Sequence, residues 1–354
     1  MKYLAILGRQ PEISIAELEM SDFCTDINRL GGTQKLAVKL DEKPLDFLRK
    51  LPEGKITLGV SDYSKKASKK SANIEALKLK KILTRHGRSV RVVENKDAVI
   101  STATALHNGL SGKNERKVEL IKTENEWYRV IGVQDIDAYA KRDQARPARD
   151  AKVGMLPPKL AQILINLCGP LKPGARVLDP FCGTGVVLQE ALLMGYKVYG
   201  TDVNERMVAY TEKNLKWLFS EHQMQMKDDI FKVEIGDATN HQWNLPIDAV
   251  ACEGYLGRPM SVIPQEIKLK TEKQECGAIV LGFLKNLNSQ IKSGTPVVIA
   301  APAWLRENGS YSRLEILDEI EQMGYNVNNK TREGLLYHRE GQIVARDIII
   351  LRKS

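Results

Sequence analysis

The chain has 354 residues and a formal net charge of +9, with hydrophobic and charged fractions ordinary for a globular protein. Its five cysteines form no CxxC pair, which argues against a disulfide framework and a zinc site. No apolar run approaches the ~18 residues of a membrane span, and the N-terminal one is too short for a signal peptide. We therefore expect a cytoplasmic monomer that binds no membrane and no metal.

The length predicts two or three domains at about 100–200 residues each. Charge is distributed unevenly between them. Residues 1–150 contain 29 Lys and Arg against 21 Asp and Glu, whereas residues 151–354 contain 24 against 23. This asymmetry suggests a polyanion-binding part joined to a neutral catalytic part. Charge alone equally allows the lysines to be solvated surface.

The first 54 residues predict a small α+β unit. A strand at 3–7 is followed by a helix that Ser14 caps, then by a strand at 33–40 and a short helix at 44–51.

Residues 55–135 predict a second α+β unit around a lysine-rich helix. This helix begins at Ser71 and ends near residue 87, and its predicted companion strands are 56–60, 89–93, 117–122 and 127–133. A charged run is usually a solvated helix face, but acid is scarce here, which favours contact with nucleic-acid phosphates. The predicted RNA-binding residues are Lys65, Lys66, Lys69, Lys70, Lys81, Arg85 and Arg88.

A charged linker, 136–150, leads into the third predicted domain, 151–354. Pro157 and Pro158 open an amphipathic helix over 159–167, because proline is preorganised for a helix start. Strands and helices then alternate and end in a hairpin, which indicates a mostly parallel sheet with an antiparallel member. The later predicted helices are 206–219, 272–291 and 312–323, and the hairpin pairs 335–338 with 343–351.

The stretch 175–202 has the pattern of a βαβ unit. A short strand ends at Asp179, the turn 180–185 carries two glycines, and a second strand ends at Asp202. A dinucleotide site needs G-x-G-x-x-G, but Leu188 replaces the third glycine. S-adenosylmethionine has no pyrophosphate and needs an open turn and a carboxylate for its ribose, so this cofactor fits better. The plain structural alternative is a βαβ turn with a capping aspartate.

Three acids follow successive predicted strands in this half of the chain. They are Asp179, Asp202, which can accept both ribose hydroxyls, and Asp237, which can accept the amino group of an adenine while Ala238 donates its backbone N–H. One such acid is usually a cap, whereas three at successive strand ends predict a cofactor site.

The fourth strand of this domain ends in Glu253, Gly254 and Tyr255, where the acceptor group should lie. Methylating an exocyclic amine requires hydrogen-bond acceptors for its N–H groups and a fixed orientation, and an aromatic ring can stack on the base. We therefore predict these three residues as catalytic. The alternative is a strand-end loop with an exposed glutamate.

Several stretches together resemble the THUMP-containing tRNA guanosine-N2 methyltransferases. LAILGRQPEISIAELE (4–19) is similar to their ferredoxin-like unit, SVRVV (89–93) and STATALHNGL (101–110) to their THUMP domain, and the segment 142–167 to their entry helix. VLDPFCGTG, Asp202 and GDAT (236–239) resemble class I methyltransferase motifs. The resemblance implies an α/β fold: a Rossmann-like seven-stranded sheet with a terminal antiparallel hairpin, preceded by ferredoxin-like and THUMP-like RNA-binding units.

The same resemblance implies transfer of a methyl group from S-adenosylmethionine to guanine N2 in tRNA. It extends the predicted cofactor-binding set, in addition to Asp179, Asp202, Asp237 and Ala238, to Pro157, Leu160, Phe181, Cys182, Gly183, Thr184, Gly185 and Val203.

One motif departs from the family. Its D-P-P-Y after the fourth strand is Glu253-Gly254-Tyr255-Leu256 here, with Glu253 at the Asp position when Gly257 is aligned. Three hypotheses therefore stay open: an RNA N-methyltransferase, a tRNA-binding protein with a vestigial or altered-target methyltransferase domain, and a DNA amino-methyltransferase. The last leaves the THUMP-like half unexplained.

Overall fold

The computed structural model describes residues 1–22, 24–150, 156–226 and 229–354. The chain divides into two compact units, each built around a sheet of its own. The first unit comprises Met1–Arg9 and Cys24–Ala138, and the second comprises Gln10–Phe23 and Tyr139–Ser354.

Helices and strands alternate through both units. The earlier elements are β1 (Tyr3–Leu7), α1 (Pro11–Met20), β2 (Thr33–Lys39), α2 (Pro44–Arg49), β3 (Ile56–Asp62), α3 (Lys69–Arg85), β4 (Val90–Val92), α4 (Thr102–His107), β5 (Lys117–Lys122) and β6 (Trp127–Val133). The later ones are α5 (Ile136–Gln144), α6 (Pro158–Leu167), β7 (Arg176–Asp179), α7 (Val186–Leu193), β8 (Lys197–Asp202), α8 (Glu205–Glu221), β9 (Phe231–Ile235), β10 (Ala249–Glu253), α9 (Glu266–Asn288), β11 (Pro296–Leu305), β12 (Tyr311–Ser312), α10 (Leu317–Gln322), β13 (Tyr325–Val327), α11 (Asn329–Glu333), β14 (Leu336–Tyr337) and β15 (Val344–Lys353).

The first unit holds a six-stranded sheet in the order β1-β2-β6-β5-β3-β4. Strand β2 pairs antiparallel with β6, with Lys39 opposite Tyr128. Strands of the predicted segments 1–54 and 55–135 thus share one sheet, because the edge of β2 needs partners for its backbone groups. The ferredoxin-like and THUMP-like labels for these segments stay predictions.

Helix α1 starts earlier than expected and belongs to the second unit. It begins at Pro11, with Gln10 at the N-cap position, so Ser14 is not its cap. The Ser14 hydroxyl instead donates to the Gln10 carbonyl oxygen at 3.0 Å, one turn back. Within the unit, Asn166 of α6 donates to the Glu17 carboxylate of α1 at 2.7 Å.

Helix α3 also begins before its predicted start. Ser68 is the N-cap, its hydroxyl accepts from the Ser71 backbone N–H at 3.0 Å, and the Ser71 hydroxyl accepts in return from Ser68. This capping box places Ser71 in the third helical position, so the serine that looked like the start lies inside the first turn.

The predicted linker 136–150 contains a helix in its first part, α5, and the boundary between the two units falls within it. Its Arg142 is almost fully buried and donates through Nε to the buried Glu190 of α7 at 2.6 Å. The charge of Arg142 is therefore balanced by an ion pair inside the second unit instead of being exposed to solvent in a connector. The predicted start of the third domain at 151, and part of the segment 142–167, fall on 151–155, outside the described residues.

The second unit contains a sheet in the order β13-β15-β11-β10-β7-β8-β9. Strands β9, β8, β7, β10 and β11 pair in parallel, while β15 runs antiparallel to both β11 and β13. The predicted Rossmann-like sheet with an antiparallel end is confirmed: seven strands form its main path, and β12 and β14, paired with β11 and β15, bring the sheet to nine strands. The predicted hairpin is also present, as β14 pairs antiparallel with β15. The predicted helix 312–323 is shorter, because Ser312 pairs with Trp304 in a strand.

Hydrophobic residues cover both faces of this sheet. Val177 and Leu178 of β7 illustrate the pattern: Val177 packs in a cluster with α6, α7 and α8, and Leu178 in a second cluster with α9 and α10. Successive side chains of a strand point to opposite faces, so continuous apolar strands produce a layer of helices on each side. No helix of the described residues is long and apolar enough to span a membrane.

Candidate active site

A cavity of about 830 Å³ lies at the carboxyl ends of β7, β8, β9 and β10. Ligands of open parallel sheets bind at this edge, where the strand-end loops meet. The predicted residues that line it are Asp179, Phe181, Cys182, Gly183, Thr184, Asp202, Val203, Asp237, Ala238, Glu253, Gly254 and Tyr255. The structure thus brings the predicted cofactor and catalytic residues together.

Three predicted site residues lie outside the cavity lining. Pro157 is the N-cap of α6, and Leu160 is fully buried in the core beneath it. Gly185 is the N-cap of α7 and adopts a φ of 80°. These residues shape the site without facing it, whereas Leu156, next to Pro157, does line the cavity.

The sequence interpretation missed several lining residues. Most are neighbours of predicted ones, so extending each motif by one or two positions would have found them. Ile279 of α9 and Met207 of α8 carried no local signal, because only the tertiary fold brings their helices to the cavity. The missed set is Leu156, Pro180, Val186, Val187, Asn204, Met207, Gly236, Thr239, Leu256, Gly257, Arg258, Pro259 and Ile279.

The turn between β7 and α7 is fixed by hydrogen bonds along its length. The Cys182 N–H donates to the Thr201 carbonyl at 2.9 Å, and Asn214 donates to the Thr184 carbonyl at 2.9 Å. At Gly185 a Cβ would approach the Thr211 methyl carbon to 2.9 Å, in a left-handed backbone conformation. Only glycine satisfies both conditions, so the turn is preformed.

Asp202 ties this turn to the end of β8. Its Oδ2 accepts from the Gly183 N–H and its Oδ1 from the Asn204 N–H, both at 2.9 Å. The side chain is only partly buried and lines the cavity. Its carboxylate is therefore oriented in advance, with lone pairs left to accept hydrogen bonds from a ligand.

Asp179 is a buried acid at the centre of the site. It is 2% exposed, and its Oδ1 accepts from the Phe181 N–H at 3.1 Å. Burial raises the pKa of Asp179 well above its ordinary value, and the nearby Asp202 and Glu253 carboxylates raise it further. Burial likewise raises the pKa of the Cys182 thiol well above its ordinary value, so Cys182 is a small lining residue and no ready nucleophile.

The end of β9 supplies a third acid to the cavity lining. Asp237 is exposed, and its Oδ1 accepts from both the N–H and the hydroxyl of Thr239, at 2.9 and 2.8 Å. Asn286 of α9 donates to the Ala238 carbonyl at 3.0 Å, which fixes the adjacent backbone. The turn keeps both predicted residues at the cavity.

The end of β10 is held differently. Arg346 of β15 donates through Nε to the Glu253 Oε1 at 2.8 Å, so the predicted acid has a cationic partner. The Gly254 N–H donates to the Ala300 carbonyl at 3.1 Å and extends the ladder with β11. A proline in place of Gly254, as in D-P-P-Y, would lack this donor. Tyr255 follows, 39% exposed at the cavity wall.

The chemistry of the cavity fits S-adenosylmethionine. Asp179, Asp202 and Glu253 concentrate carboxylates where a sulfonium cation would be bound, and Asp202 can accept hydrogen bonds from a ribose diol. Gly183 has a φ of 52°, and among the described residues a Cβ there would meet only the Phe181 carbonyl oxygen within 4 Å, so the backbone is open to a close ligand. No group of three metal-ligating side chains occurs among the described residues.

The predicted RNA-binding side chains lie on and near α3 in the first unit. Lys65, Lys66, Lys69, Lys70, Lys81 and Arg85 are exposed. Arg88 differs, because its guanidinium donates to the backbone carbonyls of Leu51 (3.0 Å) and Pro52. Arg88 is therefore held by hydrogen bonds to the protein backbone, which the other six side chains do not form within the described part of the chain.

Residues 146–253 match the family model described as UPF0020: RMKL-like, methyltransferase domain. The second unit therefore contains a methyltransferase domain. The match ends at Glu253 and includes the turn, Asp202 and Asp237. With the strand order above, it confirms the predicted class I methyltransferase fold for this domain.

Named relatives match parts of the chain. A tRNA (guanine(10)-N2)-dimethyltransferase of Methanothermobacter thermautotrophicus is 34% identical over 165 residues, which cover 46% of this chain and 44% of that protein. One of Methanocaldococcus jannaschii is 30% identical over 207 residues, 56% of each chain. The chain thus matches about half the length of these relatives. The crystal structure of TrmN from Thermus thermophilus aligns over 91% of this chain and 84% of that one, with 16% identity and a TM-score of 0.46.

Proposed function

We propose that the protein transfers a methyl group from S-adenosylmethionine to the exocyclic N2 amine of a guanosine in tRNA. One observation carries the proposal. A single cavity in a methyltransferase domain is lined by the strand-end acids Asp179, Asp202 and Asp237 together with Glu253, Gly254 and Tyr255. A donor site and an acceptor site thus adjoin.

The cofactor side consists of groups that act as acceptors. Asp202 would hold the ribose hydroxyls, and Asp237 with the Ala238 backbone would hold the adenine. When bound, S-adenosylmethionine supplies an electrophilic methyl group and leaves as the neutral thioether. The preformed turn keeps these residues in place before any ligand arrives, so little ordering entropy is lost on binding.

The acceptor side orients an amine and receives its proton. The amine nitrogen gains the methyl carbon and loses one proton, which the Glu253 carboxylate takes. Before that, Glu253 and the Gly254 carbonyl accept its N–H groups, and Tyr255 stacks on the base. These hydrogen bonds pull the nitrogen lone pair out of conjugation with the ring.

Two observations support tRNA as the substrate. The partial relatives are named as tRNA (guanine(10)-N2)-dimethyltransferases, and the basic excess of the chain lies within residues 1–150. Exposed lysines on α3 supply the phosphate contacts that such a substrate needs. The position in the tRNA, and whether one or two methyl groups are added, are the first quantities to measure.

The test is incubation of the full chain with S-adenosylmethionine and unmodified tRNA transcripts, followed by mass spectrometry of the nucleosides. We expect N2-methylguanosine or N2,N2-dimethylguanosine, and none with Glu253→Ala. A different methylated nucleoside would overturn guanine N2 as the acceptor, and the absence of any methylated product would overturn the enzymatic proposal.

A second candidate is a tRNA-binding protein whose methyltransferase domain has an altered or lost target. The departure from D-P-P-Y and the ion pair that engages Glu253 favour it. Tight tRNA and S-adenosylmethionine binding without transfer, under the same assay, would select this candidate.

A further inference from the structure

Arg346 contacts the catalytic end of the site from the last strand of the sheet. Strand β11 lies between β10 and β15, with Glu253 opposite Ala300 and Arg346 opposite Pro302. The Arg346 side chain is 7% exposed, that of Glu253 is 17% exposed, and the Nε–Oε1 distance is 2.8 Å. This pair is therefore a mostly buried, charge-assisted hydrogen bond at the cavity wall.

The local chain around Glu253 is less rigid than a proline pair would make it. Gly254 follows directly, and glycine allows wider backbone freedom than proline. The long Glu253 side chain also has more rotatable bonds than an aspartate. The Arg346 guanidinium limits these freedoms, because its hydrogen bond to Oε1 restrains where the Glu253 carboxylate can lie.

The pair also changes the electrostatics of the cavity. The Glu253 carboxylate lies near enough to the buried Asp179 to raise the pKa of that acid. The Arg346 cation, whose Nε is 2.8 Å from the Glu253 Oε1, offsets the negative charge of Glu253 at this part of the cavity.

We propose that Arg346 is a positioning residue, which holds the Glu253 carboxylate through Oε1 so that Oε2 faces the acceptor amine. This rests on the proposed function. In this protein an ion pair from β15 replaces the rigid proline motif, and residues 253 and 346 act as one unit.

The test is a double-mutant cycle of Arg346→Gln and Glu253→Gln, with Arg346→Lys and the exposed Arg352→Gln of the same strand as controls. Misplacing a reacting group costs about 100-fold in rate, so we expect Arg346→Gln to lower kcat by that factor with KM for tRNA and the S-adenosylmethionine Kd within threefold. Arg346→Lys and added guanidinium should restore part of kcat, and Arg352→Gln should behave as wild type.

Coupling decides between positioning and a merely structural role. In the Glu253→Gln background, Arg346→Gln should lower kcat by less than twofold more, because residues that act as a unit are not additive. Additive losses, or wild-type kcat in Arg346→Gln, would overturn the proposal. The proposal would also be overturned if both Arg346→Gln and Arg346→Lys failed to fold.

A readout without turnover keeps this outcome separate from failure of the proposed function. In nitrogen-15 NMR, the Arg346 Nε–H signal, identified by its loss in Arg346→Lys, should shift and exchange faster in Glu253→Gln. An unmoved signal would overturn the ion pair even in an active enzyme. If the signal shifts but the wild-type protein transfers no methyl group, the ion pair exists but the proposed function is wrong. The pair would then have no role in catalysis.

Discussion

The two ends of the cavity are built by different means. At the cofactor end, the Gly183 N–H donates a hydrogen bond to Asp202, which lies 19 residues further along the same βαβ unit. At the acceptor end, Glu253 is held by Arg346, 93 residues away on an antiparallel strand. The cofactor end is thus fixed by short-range contacts and the acceptor end by a long-range ion pair. This difference predicts which substitutions affect binding and which affect transfer.

The largest expected effect is on transfer, at the acceptor end. Glu253→Ala should lower kcat by about 1,000-fold, because it removes the acceptor for the amine N–H and the proton. The S-adenosylmethionine Kd should stay within threefold, which calorimetry measures. If Glu253→Ala also weakened S-adenosylmethionine binding, the two ends would not act separately, and this would contradict the comparison.

Asp347, the neighbour of Arg346 in β15, should make the stability of the protein sensitive to pH. Burial raises the pKa of Asp347 to about 6, while Arg313 opposes the rise. The stabilisation is complete below pH 3.8 and is lost as the pH rises through 6, by about 3 kcal/mol of unfolding free energy. Urea unfolding at pH 5 and pH 8 should show about half of this loss in wild type and none of it in Asp347→Asn. An identical loss in both would remove Asp347 as the cause.

The next effect concerns affinity, at the cofactor end. Asp202→Ala should weaken S-adenosylmethionine binding about 100-fold, since two hydrogen bonds to a charged acceptor are lost. Asp237→Ala, on the exposed wall, serves as the milder comparison. Unchanged affinity in Asp202→Ala, measured by calorimetry, would refute the cofactor assignment of this end.

The smallest effect is on the turn itself. Gly185→Ala should cost about 1–3 kcal/mol in stability, from left-handed strain and from its contact with Thr211. Gly195→Ala is a matched control, because Gly195 has a φ of 87° and a methyl group added there would meet no neighbouring atom of the described residues within 4 Å. Thermal unfolding should place Gly185→Ala below Gly195→Ala. Equal Tm values would mean that Thr211 adjusts freely.

Local patterns predicted most of the cofactor end. Asp179, Asp202 and Asp237 each follow an apolar strand, and parallel strands bring such positions to one edge. The fold of the second unit was predictable for the same reason, since apolar strands and amphipathic helices alternate over 175–353. Ser14 shows the limit of local rules. Serine is a good N-cap residue, but the helix begins earlier, at Pro11.

The acceptor end was only half predictable. Glu253 could be placed from its strand, but nothing near it in sequence indicated Arg346, whose partner is set by strand order across β11. The joined sheet of the first unit has the same origin, since β2 pairs with β6 across about 90 residues of sequence. Long-range pairing of this kind leaves little local signal.

One measurement tests the central claim most directly. After mass spectrometry has located the methylated guanosine, the same tRNA is made with inosine at that position, which lacks only the N2 amine. The proposed acceptor chemistry predicts no transfer from tritiated S-adenosylmethionine to the inosine tRNA, with tRNA affinity within a few-fold of the guanosine form. Undiminished transfer to inosine tRNA would contradict it.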